Sequence, residues 1–355
     1  MAAPLSPALA QHLQALPKIL LHEHLDGGLR PATLLELLRA RGLASPARDA
    51  EALARWFGAR AHAGSLAEYL RGFALTVAAM ASPAALARVA FEAAEDARLD
   101  GCVLAEFRIA PTLFEPMGVP PEAAVEALLA GLRRSPLPSG LILCAMREQH
   151  SAHSERVLGL ALRYRDEGVV GFDLAGAEWG HPPSRHAAAF AMARDAGLPI
   201  TCHAGEADAA ERVLEAARLG ARRIGHGVRL ADALGAAAGS AARAMLDEVR
   251  ERGVHLELCP TSNVHTGAAA SLAAHPIRRL RQAGLSVSFH TDNRLMSMVS
   301  MSGEAMDLVR HNGLGLHDLG VMSLQAAEHS FLPAPARLEA QAAVQAWQAV
   351  LDELR

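Results

Sequence analysis

Lysine is almost absent from this chain: Lys18 is the only one, and nearly all the positive charge is arginine. That removes the phosphate-loop lysine and the kinase-type lysine. It leaves one candidate for a Schiff base or a lysine-bridged metal pair. Cysteine is scarce too. Cys102, Cys144, Cys202 and Cys259 form no C-x-x-C pair, which argues against a thiolate zinc site or a disulfide framework and fits a reducing compartment. No stretch offers the roughly 20 uninterrupted apolar residues that a membrane span needs. The N-terminal stretch has no basic start followed by an apolar run, so no secretory signal and a cytoplasmic location are expected. No Lys/Arg block stands out, and the net charge is −4. This argues against a nucleic-acid or anionic-membrane partner.

What is present is a large supply of core material: 51% of the 355 residues are hydrophobic, which excludes intrinsic disorder. The length suits two domains or a single α/β barrel with insertions. Short apolar, β-branched runs alternate with Ala/Leu/Arg-rich helical stretches along the chain. The runs are Ile19–His24, Cys102–Ile109, Leu141–Met146, Val169–Leu174, Pro199–His203, Arg223–His226, Val254–Cys259 and Ser286–His290. Such alternation predicts a parallel sheet covered by helices. Eight runs favour a closed (β/α)8 barrel of the TIM type over an open doubly wound sheet. No G-x-G-x-x-G follows the first run, as a dinucleotide-binding sheet would require. The first connection, 27–100, is expected to be a helical insertion over the first strand's C-terminal end, within one domain spanning 1–355. Ala231–Glu251 reads as one plain helix and Ala334–Arg355 as a terminal helix.

Histidines and acids gather at the run ends. In LLHEHLDGG, His22 and His24 are two apart and share one strand face. Alone they suit a pair of hydrogen-bonded core histidines before a metal. His203 and Glu206 follow in TCHAGE, His226 in RIGHG, and Asp292 in SFHTDN. Taken singly, each has a structural reading: a solvated loop glutamate, a packing histidine, a helix-capping aspartate. Together, His22, His24, His203 and Asp292 fall on the C-terminal face of one predicted barrel, where active sites of such barrels lie. Three imidazoles and a carboxylate suit Zn²⁺ or a similar divalent ion.

The strings LPKILLHEHLDGGLRP, AEFRIAP, VVGFDLAGAE, CHAGE, RIGHGV, ELCPTSN and HTDN resemble, in order and spacing, the adenosine deaminase family of the metal-dependent amidohydrolases. The resemblance implies an eight-stranded barrel with one zinc held by His22, His24, His203 and Asp292. It implies hydrolytic deamination of adenosine, and of 2′-deoxyadenosine, to the inosine product and ammonia. Glu206 matches the proton donor to ring nitrogen N1, a role that needs a raised pKa. His226 matches the residue that orients or deprotonates the attacking water, and Asp292 accepts a hydrogen bond from it. The substrate contacts implied are His24, Asp26 at the 5′ hydroxyl, the Gly176 N–H at N3, and Asn293 at N7. Leu66, Tyr69, Leu70 and Phe73 share a helical face that serves either as core packing or as an apolar gate at the pocket mouth.

Two positions depart from the family pattern. Asn293 stands where many members carry a second aspartate; its amide donates to N7 at any pH. His290 stands where Asn is commoner. Alternatives remain open: another 6-aminopurine (adenine, an aminodeoxyfutalosine-like nucleoside or a modified adenosine), or a nucleoside-binding barrel without catalysis. Arg108 either faces the pocket or pairs with a carboxylate such as Glu106. Thr261, Ser262 and Asn263 are expected to hold loop geometry.

Overall fold

All eight apolar runs are strands: β1 (Lys18–His24), β2 (Cys102–Ile109), β3 (Ser139–Met146), β4 (Val169–Ala175), β5 (Thr201–Ala204), β6 (Arg223–His226), β7 (His255–Leu258) and β8 (Ser286–Phe289). The computed structural model describes residues 5–61 and 72–353. Neighbouring strands pair in parallel and in chain order, β1 to β4 in one sheet and β5 to β8 in the other. Isolated parallel bridges join the two sheets at both seams, Phe172 with Ile200 and Glu23 with Asp292. The ring is therefore a (β/α)8 barrel of the TIM type. Its strands are buried almost throughout, as strands covered by helices on one side and filled on the other must be.

The β8–β1 seam explains the departure at His290. Asp292 N donates to His22 O at 2.9 Å and His24 N to Asp292 O at 2.8 Å. One step lower, Leu21 N donates instead to the His290 ring, at 3.1 Å from Nδ1, while His290 Nε2 lies 2.6 Å from Ser288 Oγ. The imidazole thus replaces a main-chain acceptor where the seam opens. An asparagine Oδ1 could accept the same bond.

A buried charge network fills the barrel below the histidines. Arg108 reaches Asp173 Oδ2 at 3.0 Å and Glu257 Oε2 at 2.6 Å. Arg223 reaches Glu257 Oε1 at 2.6 Å and Glu106 Oε2 at 2.7 Å. Arg108 is therefore a partner of carboxylates on other strands, and Glu106 pairs with Arg223. Buried ions need this mutual pairing to offset their desolvation. Lys18, at the opposite end of β1 from the histidines, donates to Gln14 O and Leu16 O. It serves the end of the helix Pro7–Ala15 and takes no part in the site.

Between β1 and β2 run helices Pro31–Ala40, Ala50–Ala61, Phe73–Met80 and Pro83–Leu99. The last starts with Ser82 accepting from Ala85 N and Pro83 in the first turn, a favourable helix start. Leu66, Tyr69 and Leu70 lie outside the described residues. Phe73 opens its helix and lines the cavity described below. The terminal helix is present as Ala334–Glu353. The single helix expected over Ala231–Glu251 is a correction: only Ala241–Glu251 is helical, after a 3-10 segment at Val228–Ala233. Alanine content favoured a helix throughout, but Gly239 takes φ +78° and Ser240 caps a fresh start at Arg243 N. Among the described residues no single helix is long and apolar enough to cross a membrane.

Candidate active site

The strand ends bring the expected residues together. His22 and His24 extend from β1, His203 from β5, His226 from β6, and Asp292 follows β8. His22 Nε2 lies 3.3 Å from Asp292 Oδ1, and His24 Nε2 lies 3.5 Å from the same oxygen and 3.1 Å from His203 Nε2. Gly225 permits this convergence, because a Cβ there would sit 2.8 Å from the His22 ring. His226 and Asp292 themselves adopt left-handed backbone, φ 68° and 59°. Non-glycine residues hold such conformations only where their surroundings enforce them, which is commonest at functional sites.

The far nitrogens of two histidines are fixed by acids. His22 Nδ1 donates to Glu257 Oε2 at 2.8 Å, and His203 Nδ1 to Asp173 at 3.1–3.2 Å. These bonds leave both Nε2 atoms as bare acceptors facing the centre, and His22 Nε2 has no hydrogen-bond partner among the described residues. Burial lowers the pKa of His24 and His203, keeping the rings neutral as metal binding requires. Ser262 Oγ donates to Asp292 Oδ2 at 2.6 Å, so Oδ1 is the oxygen turned inward. Bare imidazole nitrogens converging on a carboxylate oxygen fit a divalent cation and have no other evident source of balance. The quartet whose donor atoms lie within 4.8 Å of one another is His22, His203, His226 and Asp292.

His226 differs from the others in its hydrogen bonds. Asn263 Nδ2 donates to His226 Nδ1 at 3.0 Å and to Glu206 Oε1 at 3.1 Å, while Asn263 Oδ1 accepts from His275 Nε2 at 3.1 Å. This places the His226 proton on Nε2, which faces Glu206 Oε2 at 3.4 Å. A protonated nitrogen is a donor and does not bind a cation at the same time, whereas His24 Nε2 lies beside Asp292 Oδ1 and His203 Nε2. Thr266 Oγ1 also donates to Glu206 Oε1, at 2.7 Å. Burial pushes the Glu206 carboxyl up from its ordinary range despite the nearby His226.

These groups open onto a cavity of about 320 Å³ lined by His24, Asp26, Phe73, Met146, Gly176, Asn293 and others. The helix Phe73–Met80 forms part of its wall through Phe73, Ala74 and Val77. Asp26 is buried with Oδ1 unpaired among the described residues, and burial lifts its pKa to about 7. Glu178, also on the wall, accepts from the backbone N–H groups of Glu206, Ala207 and Asp208 at 2.9–3.2 Å. A model of the family described as Adenosine deaminase matches residues 17–347. The chain belongs to the adenosine deaminase family. An adenosine deaminase of Mycobacterium bovis is 45% identical over 341 residues, 92% of this chain and 93% of the relative. Among solved structures, the N6-methyl-AMP deaminase of Arabidopsis thaliana superposes with TM-score 0.80 at 26% identity, covering 95% of this chain and 98% of that one. An amidohydrolase of Burkholderia ambifaria with bound Zn gives TM-score 0.86 at 24% identity, covering 99% and 96%.

Sequence reasoning underread the supporting residues of this family site. Asp173, Glu257 and Asn263 each touch a histidine or Glu206, and Ser262 touches Asp292. The detectable signal was the ionisable residues inside otherwise apolar runs, as in GFDLA and HLEL, because an acid in a barrel wall is costly unless paired.

Proposed function

We propose that this protein hydrolyses adenosine, and 2′-deoxyadenosine, to the corresponding inosine product and ammonia, with one zinc held by His22, His24, His203 and Asp292, all within one domain. The observation that carries the proposal is Glu206: a buried acid, raised in pKa, opening into the same cavity as the converging imidazoles. A divalent ion in that ligand set supplies a strong nucleophile near neutral pH by acidifying water.

The chain's own groups do the rest. His226, with its proton on Nε2, donates toward the oxygen of the attacking water and fixes its approach to C6. Glu206 gives its proton to purine N1 as ring conjugation is lost; Asn263 and Thr266 hold the carboxylate in place. As the C6–O bond forms and the C6–N bond breaks, the attacking water gives up both its protons, one to the exocyclic nitrogen, which leaves as ammonia, and one that restores Glu206. Asp26 meets the ribose 5′ hydroxyl, the Gly176 N–H meets N3, His24 borders the substrate, and the Asn293 amide donates to N7. Phe73 and Val77 exclude bulk water from one wall.

The test is the ultraviolet spectrum of adenosine incubated with zinc-replete protein beside a chelated control. Chelator-sensitive conversion to inosine supports the reading; no conversion with zinc bound overturns it. Glu206→Gln should lose about two to four orders of magnitude in turnover, with zinc content unchanged.

A further inference from the structure

Arg294 lies outside the described cavity lining, yet its guanidinium joins several parts of the site. We infer that Arg294 is a positioning residue that sets substrate affinity by holding the Asp26 turn against Asn293. The inference rests on the substrate contacts proposed for those two residues. Arg294 Nε donates to Glu23 Oε1 at 2.6 Å, NH1 to Asp96 Oδ2 at 3.0 Å, and NH2 to Gly28 O at 3.1 Å. Glu23 is fully buried between His22 and His24 in sequence. Its other oxygen accepts from Thr291 Oγ1 at 3.0 Å. Asp96, on the Pro83–Leu99 helix, is gripped in turn by Arg30 at 2.6–3.0 Å. One guanidinium thus links β1, the turn after it, the segment after β8 and the helical layer outside.

What needs holding differs between the two halves of the site. His22, His24 and Asp292 are tied by main-chain bonds across the β8–β1 seam. The Leu25–Gly27 turn that carries Asp26 ends on a long Gly28 N to Leu25 O bond of 3.4 Å. Its approach to Asn293 is close: a Cβ on Gly27 would fall 1.9 Å from Asn293 Oδ1. The Gly28 carbonyl is where Arg294 takes hold of that turn. Loss of the guanidinium therefore frees Asp26 and Asn293 relative to each other, while the seam keeps the metal-ligand set. A planar fork with three partners does this, and a lysine ammonium matches it only in part.

The experiment compares metal content, kcat and KM for adenosine in the zinc-loaded enzyme and in Arg294→Ala, Arg294→Lys, Asp96→Asn and Asp26→Ala. Arg294→Ala should raise KM about tenfold while kcat falls about threefold or less, the pattern of lost ground-state binding. Zinc content should stay at one per chain, and Arg294→Lys should recover part of the KM. Asp96→Asn should raise KM about threefold, and add nothing in the Arg294→Ala background, as expected of residues acting through one another. A merely structural role would lower thermal stability and the active fraction without moving KM. An unchanged KM in Arg294→Ala, or a loss of zinc in step with kcat, overturns the inference. If Arg294→Ala does not fold, unchanged KM in both Arg294→Lys and Asp96→Asn overturns it. Asp26→Ala separates the two levels: if it leaves KM unchanged, the substrate reading itself fails; if it raises KM and the Arg294 and Asp96 variants do not, only the positioning role fails.

Discussion

Asp173 touches no substrate position, but its carboxylate sets which nitrogen of His203 faces the centre. Replacing it by asparagine keeps the shape and removes the charge that favours the Nδ1–H tautomer. Loss of such a supporting bond typically costs about 10–100-fold in metal affinity. Asp173→Asn is therefore expected to release zinc to a competing chelator at about 10–100-fold lower chelator strength. Turnover should recover when zinc is in excess. Turnover that stays low with zinc bound would place Asp173 in the chemistry and refute a purely supporting role. The residue scale was the most legible in the sequence where strands end, since HEH, CHAGE, GHG and HTDN each put a polar side chain after an apolar run. It was least legible in the network below. Arg108, Asp173, Arg223 and Glu257 pair between strands far apart in sequence, so no local spacing announces who meets whom.

Elements carry a different kind of dependence, on how a loop is anchored to a neighbouring helix. Glu304, in the helix Met301–Asp307, accepts from Thr261 N at 3.1 Å and so ties the segment after β7 to the one after β8. Burial pushes its carboxyl from 4.5 up to about 8. The sign follows from linkage: the folded state holds this proton more tightly than the unfolded state. Its contribution is therefore fully present below pH 4.5 and lost as pH rises toward 8. Each pH unit in that window lowers stability by about 1.4 kcal/mol from this group alone. Glu304→Gln should flatten the fall by one proton, as read from urea unfolding at several pH values; an unchanged slope would show that Glu304 ionises normally in the fold. The eight strands were readable because a parallel barrel strand is a nearly continuous apolar run. The Ala231–Glu251 break was not, because alanine favours helix everywhere and the decision fell to Gly239 and Ser240.

At the scale of the whole molecule, the question is which charge of substrate the barrel mouth admits. The chain is nearly bare of lysine, and many of its arginines are engaged in the barrel interior or in surface pairs. Among the described residues lining the cavity there is no Lys or Arg, whereas Asp26, Glu148, Glu178, Glu206 and Asp292 are all there. Glu148 stands exposed at the rim and accepts from Ala177 N at 2.7 Å, beside Gly176. A neutral nucleoside meets no penalty in such a site. A 5′-phosphate would bring about two negative charges against Glu148 and the partly ionised Asp26, with no counter-charge among the described lining residues, and like-charge juxtaposition costs several kcal/mol. The expected result is that kcat/KM for adenosine 5′-monophosphate falls at least about 10³-fold below that for adenosine, measured as ammonia released. Salt separates repulsion from simple steric refusal. Raising ionic strength should improve the nucleotide's kcat/KM and leave adenosine's unchanged, because screening weakens only the charged encounter. Glu148→Gln should narrow the gap in the same direction. Comparable turnover of nucleotide and nucleoside at low salt would mean that a cation outside the described lining reaches the phosphate, and the electrostatic reading of the mouth would be wrong.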